Sequence, residues 1–531
     1  MNQPILGIDL GTTYSAVAVI DEFGRPEVLL NSDSESTTPS VVFFESPDSI
    51  LVGREAKRVS KVSPDDTELL IKRLMGEKHE LDHFGVAHTP ESISGVILKH
   101  LVEGAFEQLH LEPEPPVKAI ITVPAYFGSR EKEATKNAAK IANIEVVALL
   151  AEPVAAALAY GVRFGTEPKT IFVYDLGGGT FDTTILTVRP DQLEVIAIEG
   201  HRRLGGADWD VLLIDWALTE FRAQASPDID PGDDEQFMQN LALDVEEAKK
   251  SLSKKTSVNL GISFAGASLK LTLTREKLEE LTGALIETTL EIVERTMKAA
   301  ELKVPGITID EILLVGGSSH MSLVTQRLEA RFGIKPVLSD PDLAVAKGAA
   351  VYTTLELKPA PSPEDRKRGL GGETEADTSE QGSTASVVNV LPRALGIQVV
   401  DDDGNPEVDW LVLANSRLPI DTISKTYGLA QDNTTAIPIH LFEQETEVPS
   451  YRLEDNREVT PASGAIITGL PRLAKGSPIE VQIDVNHEGL ASISAYEPAT
   501  GQRLKIPVQL EGLAQERIDE LADVVGAMTT S

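Results

Sequence analysis

The stretch Thr170-Ile-Phe-Val-Tyr-Asp175-Leu-Gly-Gly-Gly179-Thr180-Phe-Asp182-Thr-Thr-Ile-Leu186 decides the fold. An apolar strand runs into an aspartate and three consecutive glycines, then returns as a second strand. Glycines weaken a strand but let a backbone approach a ligand closely, so three of them between two carboxylates need a reason. The same plan occurs earlier, in Ile5-Leu-Gly-Ile-Asp9-Leu-Gly11-Thr12-Thr13-Tyr14-Ser-Ala-Val-Ala-Val19. Two hairpins with Asp-Leu-Gly at the same point suggest duplication: two lobes, each offering its turn to one cleft.

In the first hairpin Asp9 ends an apolar run, where an unpaired carboxylate is costly to bury. Gly11, Thr12 and Thr13 supply backbone N–H groups and hydroxyls, a nest suited to phosphate oxygens. An aspartate beside phosphate needs an intervening cation, and Mg2+ keeping most of its waters is the usual one. Taken alone, this hairpin reads equally well as a hydrogen-bonded Asp-Gly turn. The second hairpin adds Asp175, Gly177, Gly178, Gly179, Thr180 and Asp182. A third glycine element, Leu314-Val-Gly316-Gly317-Ser318-Ser319, ends an apolar strand and precedes a helix-like stretch, a position suited to a nucleoside. Leu204-Gly205-Gly206-Ala-Asp208 offers a fourth approach. The Gly-x-x-x-x-Gly-Lys-Ser/Thr pattern does not occur, which excludes a P-loop. The four elements together describe a phosphate and nucleoside site.

Working outward, 531 residues exceed one core and imply several domains. Residues 1–357 alternate apolar strands with helical patterns, an α/β architecture. Residues 358–386 mix Pro, Gly, Ser, Thr and charge without apolar periodicity and read as a disordered polar linker. Residues 387–511 are short strand-like runs broken by Asp, Asn, Gly and Pro, the pattern of an all-β sandwich. Residues 512–531 carry one short helix, with Leu513, Ile518, Leu521, Val524 and Val525 at helical spacing.

A formal net charge of −35 argues against nucleic acid, since a duplex would repel this surface. The absence of cysteine excludes disulfides, thiolate zinc sites and cysteine nucleophiles. The apolar run at Ile5 is too short, and lacks the basic flank, for a signal peptide; no run is long enough for a membrane span. A soluble, cytoplasmic protein without membrane contact is therefore expected.

Five segments carry a resemblance: Asp9-Leu-Gly-Thr-Thr-Tyr-Ser, Ile121-Thr-Val-Pro-Ala-Tyr-Phe, Glu152-Pro-Val-Ala-Ala-Ala-Leu-Ala-Tyr-Gly, Asp175-Leu-Gly-Gly-Gly-Thr-Phe-Asp and Leu314-Val-Gly-Gly-Ser. Together they resemble the seventy-kilodalton heat-shock chaperones (DnaK-like). Actin-like filament proteins and sugar kinases share the general cleft but not this full wording. The resemblance implies an actin-like ATPase domain of two duplicated, ribonuclease-H-like lobes, followed by a peptide-binding sandwich. It implies ATP and ADP as ligands with Mg2+, the ion facing Asp9 and Asp175 through water. Lys72 would stabilise charge on the γ-phosphoryl group and place the attacking water. Glu152 would face the metal's water shell, with Thr180 and Asp182 flanking the γ-phosphate.

The resemblance further assigns Glu246, Lys250 and Ser253 to a helix that grips adenosine, and their spacing puts all three on one helical face. Asp342 falls near the adenosine, and Tyr14, Gly205, Gly206, Gly316, Gly317 and Ser318 join the nucleotide site. In the sandwich it implies that Ile397, Val400, Tyr427, Ala430, Ile437 and Ile439 line a cleft for unfolded or extended polypeptide; the residue pattern alone suits a sandwich core equally. A nucleotide-exchange factor is a further implied partner.

The chain departs from the family pattern at several points. The helical lid is reduced to the last short helix, read as a lid remnant. The stretch between Gly76 and Ser92 is shorter than the family's β-rich arm, and the leucine-rich interdomain strand becomes Val387-Val388-Asn389. Ala148 and Ala151 replace an arginine and an asparagine that contact J-domain partners, which argues against standard J-domain partnership. His320 stands where an arginine stacks on adenine. These departures support a second expectation, a nucleotide-switched scaffold for one dedicated partner.

Overall fold

The computed structural model describes residues 3–160, 168–189, 192–225, 230–338, 340–355, 386–401, 403–446, 448–460, 465–498, 500–507 and 513–530. Two mixed sheets organise its N-terminal part. In the first lobe the strands run Ile144–Ala151, Val117–Val123, Leu6–Asp9, Tyr14–Ile20 and Pro26–Leu29. Leu6–Asp9 is parallel to Val117–Val123 and antiparallel to Tyr14–Ile20. In the second lobe the order is Val337–Leu338, Glu311–Val315, Lys169–Leu176, Phe181–Arg189 and Gln192–His201. Lys169–Leu176 is again parallel to one neighbour and antiparallel to the other. The internal echo of the sequence is thus an echo of topology, with each Asp-Leu-Gly turn joining corresponding strands. Each sheet carries its own apolar core.

Between the sheets the helices Glu152–Ala159 and Ala344–Tyr352 cross closely. Gly348 permits it, because a Cβ there would overlap the Ala155 carbonyl. This crossing sets the two Asp-Leu-Gly turns face to face.

The C-terminal part contains two four-stranded antiparallel sheets. One holds Pro406–Val412, Leu395–Val400, Leu441–Gln444 and Asn456–Glu458; the other holds Ile420–Gly428, Pro478–Val485, Ala491–Glu497 and Gln502–Pro507. Pro478–Val485 alternates strictly, with Ile479, Val481, Ile483 and Val485 buried, as a half-buried strand requires. Those side chains share one core with Leu395, Ile397 and Leu441 of the facing sheet.

Two placements differ from the sequence reading. Val387 and Val388, expected to open the sandwich, lie in Ser386–Val388, which adds a sixth strand to the second lobe's sheet, parallel to Gln192–His201. An edge strand with free backbone groups takes such an addition readily. Residues 358–385 of the expected linker lie outside the described residues.

The second difference is the C-terminal helix, Gln515–Ala527. It does not cover the two-sheet module as a lid remnant would. Ile518, Leu521 and Val525, on one face, are buried in the first lobe's core against the helices Pro90–Leu109 and Ser129–Ile141. Lys99 Nζ donates to the carbonyls of Val525 (2.9 Å), Gly526 (3.3 Å) and Met528 (2.8 Å), satisfying groups a helix end leaves orphaned. Thr529–Thr530 then pairs parallel to Ser49–Val52. An amphipathic stripe goes where apolar surface and a cation for its last carbonyls coincide, and here that is the first lobe.

Candidate functional site

The base of the interlobe cleft is built from the ends of strands. Asp9 ends its strand half-buried and accepts from the Thr122 hydroxyl (3.0 Å) on the neighbouring strand. Asp175 and Asp182 lie opposite one another across the second hairpin. Asp182 accepts from the Tyr126 backbone N–H at 3.0 Å, and among the described residues no side chain donates to the Asp175 carboxylate. Lys72, on the single turn Ile71–Leu74, reaches across to Glu152 (2.8 Å), and both are buried. Glu152 starts its helix ahead of Pro153, where negative charge is favourable.

These groups are desolvated together. Burial first, then the Glu152 charge, raises Asp9 from 3.8 to about 7 and Asp182 from 3.8 to about 8. Burial and the surrounding carboxylates Glu152, Asp182 and Asp9 hold Asp175 well above the ordinary range. Lys72 opposes each rise but is one cation among four carboxylates. The protein alone therefore favours the protonated forms of these carboxyls, and a bound cation would favour their charged forms. Among the described residues no group of three or more His, Asp or Glu is arranged to hold a metal directly. That donor set suits an ion met through its own water shell.

All four glycine elements converge here. Side chains at Gly178 and Gly179 would overlap Thr13 and Thr12 of the opposite turn, so their absence lets the two turns touch. A Cβ at Gly205 would lie 2.5 Å from the Gly179 nitrogen, and one at Gly206 would overlap the Ser318 hydroxyl. Gly316, with φ +79°, adopts a conformation that favours glycine and abuts Asp175. A Cβ at Gly317 would lie 3.1 Å from Asp342 Oδ1.

A family model described as Hsp70 protein matches residues 5–85 and 80–530. The chain belongs to the Hsp70 family. The match runs across both lobes and the two-sheet module, so the Hsp70 relationship is not confined to the cleft.

Elsewhere in the two lobes, Glu246 pairs with Lys57 (2.7 Å) and Lys250 (2.6 Å). Burial favours its neutral form, but Lys57 and Lys250 outweigh that and hold it at about 2. Lys250 also donates to the Tyr14 hydroxyl (2.8 Å), tying the second lobe to the first. The Ser253 hydroxyl donates to the Lys250 carbonyl at its helix end (2.7 Å). His320 sits 3.2 Å from Asp342 Oδ2, and that hydrogen bond raises its pKa above 6.5.

The residues expected to line a peptide cleft are divided. Ile397, Ile437 and Ile439 are only 4%, 8% and 7% exposed and belong to the module's core, with Ile437 paired to Ile467. Val400 is 46% exposed, and Ala430 is exposed at the end of Ile420–Gly428. The Tyr427 hydroxyl donates to Asp409 (2.5 Å) in the opposite sheet.

Several residues escaped the sequence reading. Arg73 crosses the cleft, donating to the Gly179 carbonyl (3.1 Å) and pairing with Asp208 (2.6 Å). Its position beside Lys72 was the one available signal. Thr122 and Tyr126 lie in the segment Ile121-Thr-Val-Pro-Ala-Tyr-Phe, but their contacts with Asp9 and Asp182 depend on strand register and backbone direction.

Proposed function

We propose that this Hsp70-family chain is an ATPase of the actin-like, two-lobed type, whose C-terminal sandwich binds extended polypeptide under nucleotide control. The convergence of both Asp-Leu-Gly turns on the Lys72–Glu152 pair carries this reading. ATP would lie with its phosphates between the two turns, against the backbone of Gly11–Thr13 and Gly177–Gly179. Asp9 and Asp175 would hold hydrated Mg2+, which supplies neutralisation of the phosphate charge. Lys72 would stabilise the γ-phosphoryl group and orient water, with Glu152 holding Lys72 in place. Thr180 and Asp182 would flank the transferred group. Such a site works by positioning and charge stabilisation. Glu246, Lys250, Ser253, Gly316, Gly317, Ser318 and Asp342 would contact the nucleoside. In domain terms, the ATPase part includes residues 513–530 and the strand Ser386–Val388 besides residues 1–357.

The test is hydrolysis of ATP by the full chain, with peptide release measured in ATP and in ADP. Peptide release that differs between the two nucleotides is the expected result, because coupling requires a differential affinity. Identical release in both contradicts nucleotide control.

A second reading is supported by the burial of Ile397, Ile437 and Ile439, which fill the module's own core. On that reading the chain is a nucleotide-switched scaffold for one dedicated partner. A pull-down with Thr180→Ala discriminates: many unrelated unfolded proteins favour the chaperone, and one stoichiometric partner favours the scaffold.

A further inference from the structure

A cavity of about 220 Å³ in the first lobe is walled by the helix Pro90–Leu109 and the strands Tyr14–Ile20 and Pro26–Leu29. That volume far exceeds the about 10–15 Å³ that admits one water. Its floor is apolar: Val17, Leu29, Leu101 and Ala105 line it and are buried. None of the groups placed at the interlobe cleft lines it.

The helix turns one face to this space. His100, Gly104 and Glu107 follow at i, i+4 and i+7, with Glu103 beside them. Gly104 is the telling position, because a glycine inside a helix weakens it relative to alanine and needs a reason. Gly95 of the same helix has one in packing, since a Cβ there would lie 2.9 Å from Ile141 Cγ2. At Gly104 a Cβ would meet no atom within 4 Å. Packing does not require this glycine, and its bare face keeps the cavity open.

Across from the helix, Asn31 fixes the 31–38 loop. Its Oδ1 accepts from the N–H groups of Asp33 (3.0 Å) and Glu35 (2.9 Å), and its Nδ2 donates to the Thr37 carbonyl (3.1 Å). Ser32 and Ser36 of this loop line the cavity, and their hydroxyls have no hydrogen-bond partner among the described residues. The His100 ring has none either. Burial holds its pKa below 6.5 against the charges of Glu103 and Asp33, so at neutral pH the ring is uncharged and offers a lone pair.

The charged groups lining the cavity are Glu103 and Glu107, with no lysine or arginine. Thr530 also lines it and donates to Glu103, while Lys99 stays 4.0 Å from Glu103 and spends its Nζ on the C-terminal carbonyls. An anion would meet two carboxylates in a chain of net charge −35. A metal ion would lack ligands, since among the described residues no three His, Asp or Glu are arranged to hold one. An organic cation fits both halves of the site, its ammonium on the carboxylates and imidazole and its alkyl stem on the floor.

We propose that this cavity binds a small aliphatic amine of the polyamine class, held by His100, Glu103 and Glu107, with Gly104 left bare to admit the stem. The inference stands apart from the ATPase reading, because it uses none of the cleft's residues.

Spermidine is the probe, titrated calorimetrically into the full chain at low salt, with octanediol as an uncharged stem of comparable length. The parent should bind spermidine saturably at one site, and octanediol at least about tenfold more weakly. An acidic surface attracts polyamines without any site, so the deciding variant leaves charge untouched. Gly104→Leu puts a side chain into the cavity and should weaken spermidine at least about tenfold. Its melting temperature should equal or exceed the parent's, since replacing a helix glycine that faces free space stabilises. Glu103→Gln combined with Glu107→Gln should weaken binding about three- to tenfold, the scale of losing two exposed ion pairs. The inference is overturned if spermidine binds the parent only without saturation, if Gly104→Leu binds it as the parent does, or if octanediol binds equally well. A Gly104→Leu chain that melts well below the parent would also overturn it, because the cavity would then have no room for a stem.

Discussion

The carboxylates Asp9, Asp175 and Asp182 in the cleft and Glu131 at the module interface are all desolvated, yet they end on opposite sides of the ordinary range. Asp9 and Asp182 are raised to about 7 and about 8, and Asp175 well above its usual value. Burial acts on Glu131 in the same sense, but Arg393, Arg202 and Arg457 outweigh it and hold it at about 2. Arg457 sits 3.2 Å from Glu131, and Arg202 bonds to the same oxygen. The interface cluster closes on itself, three cations around its carboxylates. The cleft holds four carboxylates and one buried lysine. A buried carboxyl cluster without matching cations is suited to receive one; a cluster with internal balance is suited to a joint.

Breaking the joint should give the largest effect. Arg393→Met removes the Arg393–Glu443 ion pair from a dry interface and leaves Glu131 with Arg202 and Arg457, and removing one partner of a buried pair costs about 3–5 kcal/mol. Urea unfolding of the full chain measures it; a loss below about 1 kcal/mol would mean that water already reaches the cluster. In the cleft the same kind of change should act oppositely. Asp182→Asn removes a charge that the unliganded protein holds at a cost, so its melting temperature at pH 8 should rise. Hydrolysis should meanwhile fall by about a hundredfold, the scale of losing one electrostatic contact in an active site. A fall in melting temperature would place Asp182 with the structural carboxylates.

The comparison also has a pH signature. A carboxyl raised in the folded state binds more protons folded than unfolded, so stability falls as pH climbs from its unfolded value to its folded one. For Asp9 and Asp182 that window runs from 3.8 to about 7 and about 8. Glu131 has the opposite sign: its contribution is complete above 4.5 and is lost as pH falls through about 2. Melting curves of the unliganded chain should therefore decline from about pH 5 to 8, and ATP with Mg2+ should flatten that slope. An equal slope with and without ligand would detach the cleft carboxylates from nucleotide binding.

The smallest effect is expected at the cleft's rim. Lys61 and Asp244 pair across it at 3.2 Å with side chains 40% and 49% exposed. Lys61→Ala should cost less than about 1 kcal/mol, and salt should erase the difference.

Much of the first group was legible in the sequence, because it is written locally. Asp9 and Asp175 end apolar runs, and the glycines beside them have no other use in a strand. The duplicated hairpin suggested two related lobes, and the two sheets have corresponding strand orders. The joint was invisible, since Glu131, Arg393, Glu443 and Arg457 are scattered along the chain and each reads alone as a surface charge. The C-terminal helix shows a third case. Its apolar stripe was legible from Ile518, Leu521 and Val525, but a stripe does not say what covers it. Assigning it to the sandwich as a lid remnant followed the order of the chain, whereas Lys99 and the first lobe's apolar surface determined where it lies. For Ile437 and Ile439, one-face spacing could not separate core from cleft, and burial places them in the core.

Calorimetric titration of the full chain with ATP at neutral pH, with and without Mg2+, tests the proposed cation site of the cleft most directly. Binding that depends on Mg2+ and is lost in Asp175→Asn, which removes a carboxyl proposed to face the hydrated ion, is the expected result. ATP binding of equal strength in EDTA, or unchanged in Asp175→Asn, would contradict it.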